Sequence, residues 1–286
     1  MTPADYDFLR AFLKQRSGLA ITVDKHYLID SRLMPLARRR GFAELSELVH
    51  ALRLGRDEAL AVEVVEAMTT NETLFFRDRL PFEHFKTFVM PQLLQARSHT
   101  RRIRIWCAAA ATGQEPYSLA MALKEMGGAL DGYRVDILAT DLSQAVLSKA
   151  RAGRYSQFEV QRGLPIQMLL KYFSKSGDHW QIRPDIRSMV AFRPFNLLDD
   201  LSPLGLFDFI LCRNVLFYFD QATRADLFAR LRAVTAPDGY LVLGSAETIM
   251  GLTSAFAPVD GRRGLYAPVA VPMPLQGASP RGLPAA

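Results

Sequence analysis

Apolar residues recur at three- and four-residue spacing through roughly the first seventy positions, whereas from Ile103 onward they gather into short runs that alternate with helical stretches. The chain therefore changes its structural period once. Thr2-Pro3 precedes Asp5 and Asp7, Phe8, Leu9, Phe12 and Leu13 follow at helical spacing, and Gly18 ends the run. This is a capped amphipathic helix. Tyr27 to Arg40, interrupted at Pro35 and stopped by Gly41, then Leu45 to Leu54 and Glu58 to Met68 predict further helices. An all-helical domain over 1–70 is expected, joined by a linker segment over 71–100 that holds one more helix, Pro81 to Gln95.

The second pattern predicts strand Arg102 to Cys107 before helix Tyr117 to Met126, strand Tyr133 to Thr140 before helix Ser143 to Ala150, and strand Phe207 to Cys212 before helix Gln221 to Val234. Gly239 to Gly244 adds another strand. Such alternation is the mark of an α/β domain with a mostly parallel sheet covered on both faces, expected here over 101–267. The stretch Gly153 to Pro194 breaks the rhythm with a helix near Pro165 to Tyr172, the turn Ser174-Lys-Ser-Gly-Asp178, and short strands around Trp180 to Arg183 and Met189 to Phe192. It predicts a small inserted β-subdomain at about 153–194. The final stretch, 268–286, is rich in Pro, Ala and Gly and predicts a disordered tail.

With 49% hydrophobic and 22% charged residues in 286 the chain is globular, and no apolar run reaches transmembrane length. The opening residues lack the features of a secretory signal, so a cytoplasmic protein without membrane insertion is expected. Cys107 and Cys212 each lie in an apolar run and predict core thiols, and the scattered histidines offer no metal-ligand spacing. No metal is expected. A net charge of +6 permits acidic partners without selecting one. Arginines cluster at Arg38-Arg39-Arg40 and again at Arg97, Arg101, Arg102 and Arg104, although a single such run is more often a solvated helix end.

Candidate chemistry lies where strands end. After Ile103 to Cys107 the chain reads Ala108-Ala-Ala-Ala-Thr-Gly-Gln-Glu-Pro116, small residues that let a ligand approach the backbone before a helix. A dinucleotide loop would carry three spaced glycines. Here Gly113 stands alone, and Glu115 would repel a pyrophosphate but attract a cation such as the sulfonium and ammonium of S-adenosylmethionine. An ordinary tight strand-to-helix turn fits this segment equally well. Asp141 closes the second strand, where a carboxylate can accept both ribose hydroxyls of an adenosine or cap the next helix, a task Ser143 can also perform. Asn196 and Leu197 could hydrogen-bond to an adenine edge and cover it. Arg213 and Asn214 end the strand Phe207 to Cys212, and Tyr218 stands just before Asp220, a predicted helix cap. Upstream, Asn71, Thr73 and Arg77 alternate with anchoring Leu74, Phe75 and Phe76, a pattern suited to covering a site from outside.

Together these segments resemble the CheR family, the chemotaxis receptor protein-glutamate O-methyltransferases, from about Ala4 to Tyr266. The shared landmarks are the helical opening, Asn71-x-Thr73-x-x-x-Arg77, the loop Ala110 to Ser118, the Asn196-Leu197 pair and Cys212-Arg-Asn-Val-x-x-Tyr-Phe-Asp220. The resemblance implies a Rossmann-like S-adenosylmethionine-dependent methyltransferase sheet with an inserted β-subdomain behind an N-terminal all-α domain. It implies S-adenosyl-L-methionine as methyl donor, S-adenosyl-L-homocysteine as product, and a glutamate in the cytoplasmic helical region of a chemoreceptor as acceptor. Carried across, the cofactor contacts are Asn71, Thr73, Arg77, Glu115, Asp141, Asn196, Leu197, Arg213 and Asn214, with Arg77 and Tyr218 at the methyl as catalytic residues. The helical domain would face the receptor, with Arg32, Arg38, Arg39 and Arg40 as its binding cluster.

The sequence departs from the family at two places. Gly113-Gln114-Glu115 replaces the more usual Gly-Glu-Glu, leaving Glu115 as the loop's one carboxylate. The turn Ser174 to Trp180 is shorter than in members that dock a receptor's C-terminal pentapeptide, which argues against such a tether. A monomer is expected. Two other functions compete: a nucleic-acid methyltransferase, suggested by the arginine clusters but lacking an Asn/Asp-Pro-Pro-Tyr type of motif, and a signalling module that binds the cofactor without turnover, which retention of Arg77 and Tyr218 opposes.

Overall fold

The computed structural model describes residues 1–269. At its start, α1 (Pro3–Ser17) is closed by a reciprocal capping box between Thr2 and Asp5 and released by left-handed Gly18. It packs with α2 (His26–Arg39), α3 (Leu45–Leu54) and α4 (Glu58–Met68) around a core that includes Leu9, Leu13, Ile29, Leu33, Leu48 and Val64. Pro35 lies inside α2 instead of interrupting it. Burial of Leu33, Leu36 and Ala37 on the core side holds the helix through the missing hydrogen bond.

The linker helix is longer and less regular than its spacing predicts. It runs as α5 (Leu80–His84), a π-helical turn over Phe85–Val89, and α6 (Met90–Ala96). The widened turn ends two residues before Pro91, which has no N–H to donate into a regular ladder. Its buried Phe82, Phe85, Val89, Met90 and Leu93 cover one face of the sheet that follows.

That sheet begins with β1 (Arg102–Ala108), α7 (Gln114–Met126), β2 (Arg134–Asp141) and α8 (Gln144–Ala152). The chain then leaves it for β3 (Arg154–Ser156), α9 (Gln157–Gln161), α10 (Ile166–Tyr172), β4 (Phe173–Ser176), β5 (His179–Ile182) and α11 (Pro184–Arg187), and returns as β6 (Val190–Pro194). It finishes with β7 (Phe207–Cys212), α12 (Gln221–Val234), β8 (Thr235–Leu243), β9 (Phe256–Pro258) and β10 (Leu265–Pro268). The order across the main sheet is β6-β2-β1-β7-β8-β10-β9, parallel from β6 to β8, with β10 and β9 added antiparallel. All six positions of β7 are buried, as expected for a parallel strand covered on both faces. Ile105 and Cys107 point into one core and Trp106 and Ala108 into the other, so β1 divides the two layers. Burial pushes both thiols, Cys107 and Cys212, well above their usual range, and neither forms a disulfide.

Three predictions are corrected. The strand near Met189 to Phe192 is β6, an edge of the main sheet aligned with β2 from Ile137↔Val190 to Asp141↔Pro194, so the inserted three-stranded sheet contains only β3, β5 and β4. Strands β9 and β10 were not expected at all. Of the predicted tail, Pro268 is instead the last residue of β10, and 270–286 lies outside the described residues. No helix among the described residues is long and apolar enough to cross a membrane.

Candidate active site

From β1 the chain moves outward through β2 to β6, then crosses back to β7 and β8 on the other side. This reversal leaves a crevice at the carboxyl ends of β1 and β7, the place where open α/β sheets bind ligands. A cleft with about 950 Å³ of empty space, solvent at its mouth included, lies there. Its walls bring together every cofactor and catalytic residue expected from the sequence: Asn71, Thr73, Arg77, Glu115, Asp141, Asn196, Leu197, Arg213, Asn214 and Tyr218. Glu115 and Asp141 thus share one edge of the sheet. Ser17, Leu19, Thr69, Leu142, Phe195, Val215 and Phe219 also line the cleft and were not anticipated.

The loop after β1 is built for close approach. Ala109 and Ala111 adopt left-handed backbone (φ 56° and 47°), which is unusual for residues with a Cβ and is found at ligand-binding turns. The conformation is held by Asp141, whose carboxylate accepts from Ala111 N at 2.8 Å and from Ser143 N at 3.0 Å. Ser143 caps α8, so Asp141 is not consumed by capping. Asp141 also lines the cleft. Burial raises the Asp141 pKa above the ordinary carboxylate value, against the pull of the backbone N–H groups.

Glu115 is largely buried and pairs with Arg213, which also binds Asp78 at 2.7 Å and the Arg77 carbonyl at 3.1 Å. The Arg213 side chain is 1% exposed, and its Nε has no partner among the described residues. Arg213 therefore clamps the loop bearing Arg77 to the start of α7, more than it offers itself to a ligand. One Glu115 oxygen makes no hydrogen bond among the described residues and is left for a cation in the cleft. Arg77 spends one hydrogen bond on the Glu72 carbonyl at 3.2 Å. The Tyr218 hydroxyl makes none among the described residues, and its ring leans on Phe217 with centroids 4.4 Å apart.

Asn196 behaves otherwise than expected. Its amide nitrogen donates to the Arg16 carbonyl at 2.7 Å and its oxygen accepts from Leu198 N at 3.0 Å, so the side chain ties the helical domain to the sheet. The same junction holds a bridge between Leu19 and Phe219, a hydrogen bond from Ala20 N to the Tyr218 carbonyl at 2.8 Å, and an ion pair Lys14–Asp220 at 2.6 Å. A Cβ on Gly18 would come within 2.9 Å of the Phe219 ring, so only glycine permits this approach at φ 76°. The end of α1 thereby forms one wall of the cleft.

The arginine clusters are less free than their run suggests. Arg32 donates to the Met68 carbonyl at 2.5 Å and to Thr70 Oγ1 at 2.8 Å, and Arg40 pairs with Glu63 at 2.8 Å. Arg32 is therefore an internal tie to the end of α4, and Arg40 a tie between helices. Arg39 keeps a longer contact to Glu63 at 3.3 Å, and Arg38 has no ion-pair partner among the described residues. In the second cluster, Arg97 pairs with Asp208 at 2.7 Å and Asp238 at 2.6 Å, Arg102 pairs with Asp136 at 2.8 Å, and Arg104 donates to the carbonyls of Leu206 and Leu204. The charges of Arg97 and Arg102, neutralised in this way, offer little to a phosphate backbone.

Family models match along nearly the whole described chain. The all-alpha domain of CheR methyltransferases matches residues 4–69, and their SAM binding domain matches residues 71–265. The chain belongs to the CheR methyltransferase family. It is similar to chemotaxis protein methyltransferase 1 of Pseudomonas aeruginosa, at 42% identity over 268 residues, covering 92% of this chain and 96% of that one. It is also similar to chemotaxis protein methyltransferase Cher2 of Pseudomonas putida, at 40% identity with 91% and 96% covered, and to the chemotaxis protein methyltransferase of Escherichia coli, at 33% identity with 90% and 88% covered. As a CheR protein it is an S-adenosylmethionine-dependent methyltransferase. The lining fits the chemistry of that cofactor: a carboxylate, Asp141, that could accept from hydroxyls, apolar Leu142, Phe195 and Leu197 that could cover a ring, and a Glu115 oxygen that could meet an ammonium.

Proposed function

We infer that the chain transfers a methyl group from S-adenosylmethionine to glutamate side chains of chemoreceptors, forming glutamyl methyl esters in chemosensory adaptation. The observation that carries this reading is the convergence of Arg77, Glu115, Asp141, Asn214 and Tyr218 on one cleft in a CheR fold. The cofactor supplies an electrophilic methyl on a sulfonium. A glutamate is already ionised at neutral pH, so its oxygen needs no strong base. What the chain must supply is orientation and exclusion of water. Arg77 holds the acceptor carboxylate without a second, tighter partner that would quench its nucleophilicity. Tyr218 directs its unpaired hydroxyl to the reacting end, and Phe219 with Leu19 keeps that end dry. Glu115 anchors the ammonium, away from a charge that disappears during transfer.

Labelled methyl should pass to receptor cytoplasmic fragments and not to RNA. Tyr218→Phe should lower kcat about tenfold, the worth of one hydrogen bond to a charged group, while S-adenosylhomocysteine affinity stays within about twofold by calorimetry. Full turnover in that variant would remove the tyrosine from the mechanism.

The protein works in the cytoplasm, where receptor helix bundles lie, as a monomer whose helical domain (1–70) faces the receptor and whose segment 71–100 links it to the methyltransferase domain (101–267). Of the four arginines expected to bind the receptor, Arg38 and Arg39 are the exposed ones that remain to steer it. Reversing both charges should raise the KM for receptor fragments and flatten its salt dependence, leaving cofactor affinity unchanged. A KM insensitive to both changes would place recognition at the mouth of the cleft or on the inserted sheet. The hairpin of β4 and β5 turns at Gly177 with short strands, consistent with a receptor that is engaged without a pentapeptide tether.

A further inference from the structure

Tyr218 reaches the cleft on a turn that has little structure of its own. Between the end of β7 and the cap of α12 the chain forms only a single 3₁₀ turn, Leu216–Tyr218. Asn214 at its start is left-handed at φ 59°, a conformation that side chains other than glycine adopt only when surroundings enforce it. The enforcing group is Glu247, four residues beyond the end of β8. One carboxylate oxygen accepts from Val215 N at 2.9 Å and Leu216 N at 2.8 Å, and the other from Asn214 N and Gly244 N, both at 2.8 Å. Three successive N–H groups aimed at one anion form a nest, whose shape depends on the anion that fills it. Gly244 is part of the device, because a Cβ there would meet the Asn214 amide nitrogen and the Glu247 carboxylate at 2.8 Å each.

Glu247 does not line the cofactor cleft. It lies behind it, on the wall of a second cavity shared with Asp78, Leu80, Arg263 and Tyr266. It is not required to join β7 to β8, which are already in register from Phe209↔Tyr240 to Cys212↔Leu243. The turn is anchored at its two ends, by the ion pairs of Arg213 and by Ala20 N donating to the Tyr218 carbonyl, but among the described residues the N–H groups of Asn214, Val215 and Leu216 between them are held by Glu247. We propose that Glu247 is a positioning residue for methyl transfer, its carboxylate fixing the Arg213–Tyr218 turn so that the Tyr218 hydroxyl is held toward the acceptor. This rests on the assignment of Tyr218 to the reacting end.

The test compares Glu247→Gln, Tyr218→Phe and the double variant, with kcat expressed per site titrated by S-adenosylhomocysteine. The glutamine keeps the shape but turns an NH2 group toward two backbone donors. It should lower kcat about tenfold with receptor KM and S-adenosylhomocysteine Kd within about threefold, and the double variant should be no slower than Tyr218→Phe by more than about twofold. A purely structural role would lower Tm and leave kcat per titrated site unchanged, which overturns the proposal. So do losses that multiply in the double variant, since Glu247 would then act independently of Tyr218. If Glu247→Gln does not fold, Gly244→Ala crowds the same junction from the other side and carries the same expectations. A fully active Tyr218→Phe overturns the assignment of Tyr218 and this inference with it, whereas a slow Tyr218→Phe beside a fully active Glu247→Gln overturns this inference alone.

Discussion

Arg213→Leu is expected to destabilise the fold by about 3 to 5 kcal/mol, because it strands the buried Glu115 carboxylate without its cation. The loss should register as a lower urea midpoint. It also releases Asp78 and the Arg77 carbonyl, so the strained stretch where Phe76, Asp78 and Arg79 all have positive φ loses its clamp. Adding Glu115→Gln to Arg213→Leu should recover part of the stability, since the stranded charge is then gone. Arg213→Leu with an unshifted midpoint would mean that the Glu115 charge is met by solvent, and the arginine would revert to a plain cofactor contact.

Asp141→Ala is expected to weaken S-adenosylhomocysteine binding by about 1 to 3 kcal/mol, the cost of losing charge-assisted hydrogen bonds and of freeing the loop at Ala111. Calorimetry measures it. The pH dependence has a definite sign. Burial raises the Asp141 pKa in the free protein, and hydroxyls donating to the carboxylate would lower it in the complex, so binding releases a proton. Affinity should therefore fall as pH drops through the raised value, above the pH at which an ordinary aspartate protonates. Affinity flat with pH in the parent, or a variant binding as tightly as the parent, would leave Asp141 with the loop alone.

The α/β frame was legible because its strands are apolar runs with helix caps at measurable distances. The range Phe207 to Cys212 and the helix Gln221 to Val234 match their predicted bounds. Strand β6 was misplaced because it is an edge strand with exposed Ala191 and Arg193, which looks locally like any short hairpin strand, and only its pairing with β2 distinguishes it. Strands β9 and β10 follow a turn-rich stretch and owe their existence to the free edge of β8. At the site, Glu115, Asp141, Arg213 and Asn214 were legible as polar residues at strand ends and the family resemblance added the rest of the named set, while Ser17, Leu19 and Thr69 gave no local signal. Their bonds were not legible, because Asn196 to Arg16 and Arg213 to Asp78 join positions 180 and 135 residues apart. Glu247 was within reach, since it follows the strand ending at Leu243 just as Asp141 ends β2. The ties of Arg32 were not legible because a helix face cannot disclose that the carbonyls ending α4 lie over it.

The wall contributed by Ser17 and Leu19 makes the cleft a joint between the helical domain and the sheet. An occupant that contacts both walls links occupancy to docking thermodynamically. If the chain were severed in the linker, the two fragments would hold each other more tightly in saturating S-adenosylhomocysteine than in its absence. By the same factor, the intact partner fragment would raise the affinity of the sheet for its ligand. The helical domain is in this sense a ligand of the methyltransferase domain, tethered at high effective concentration.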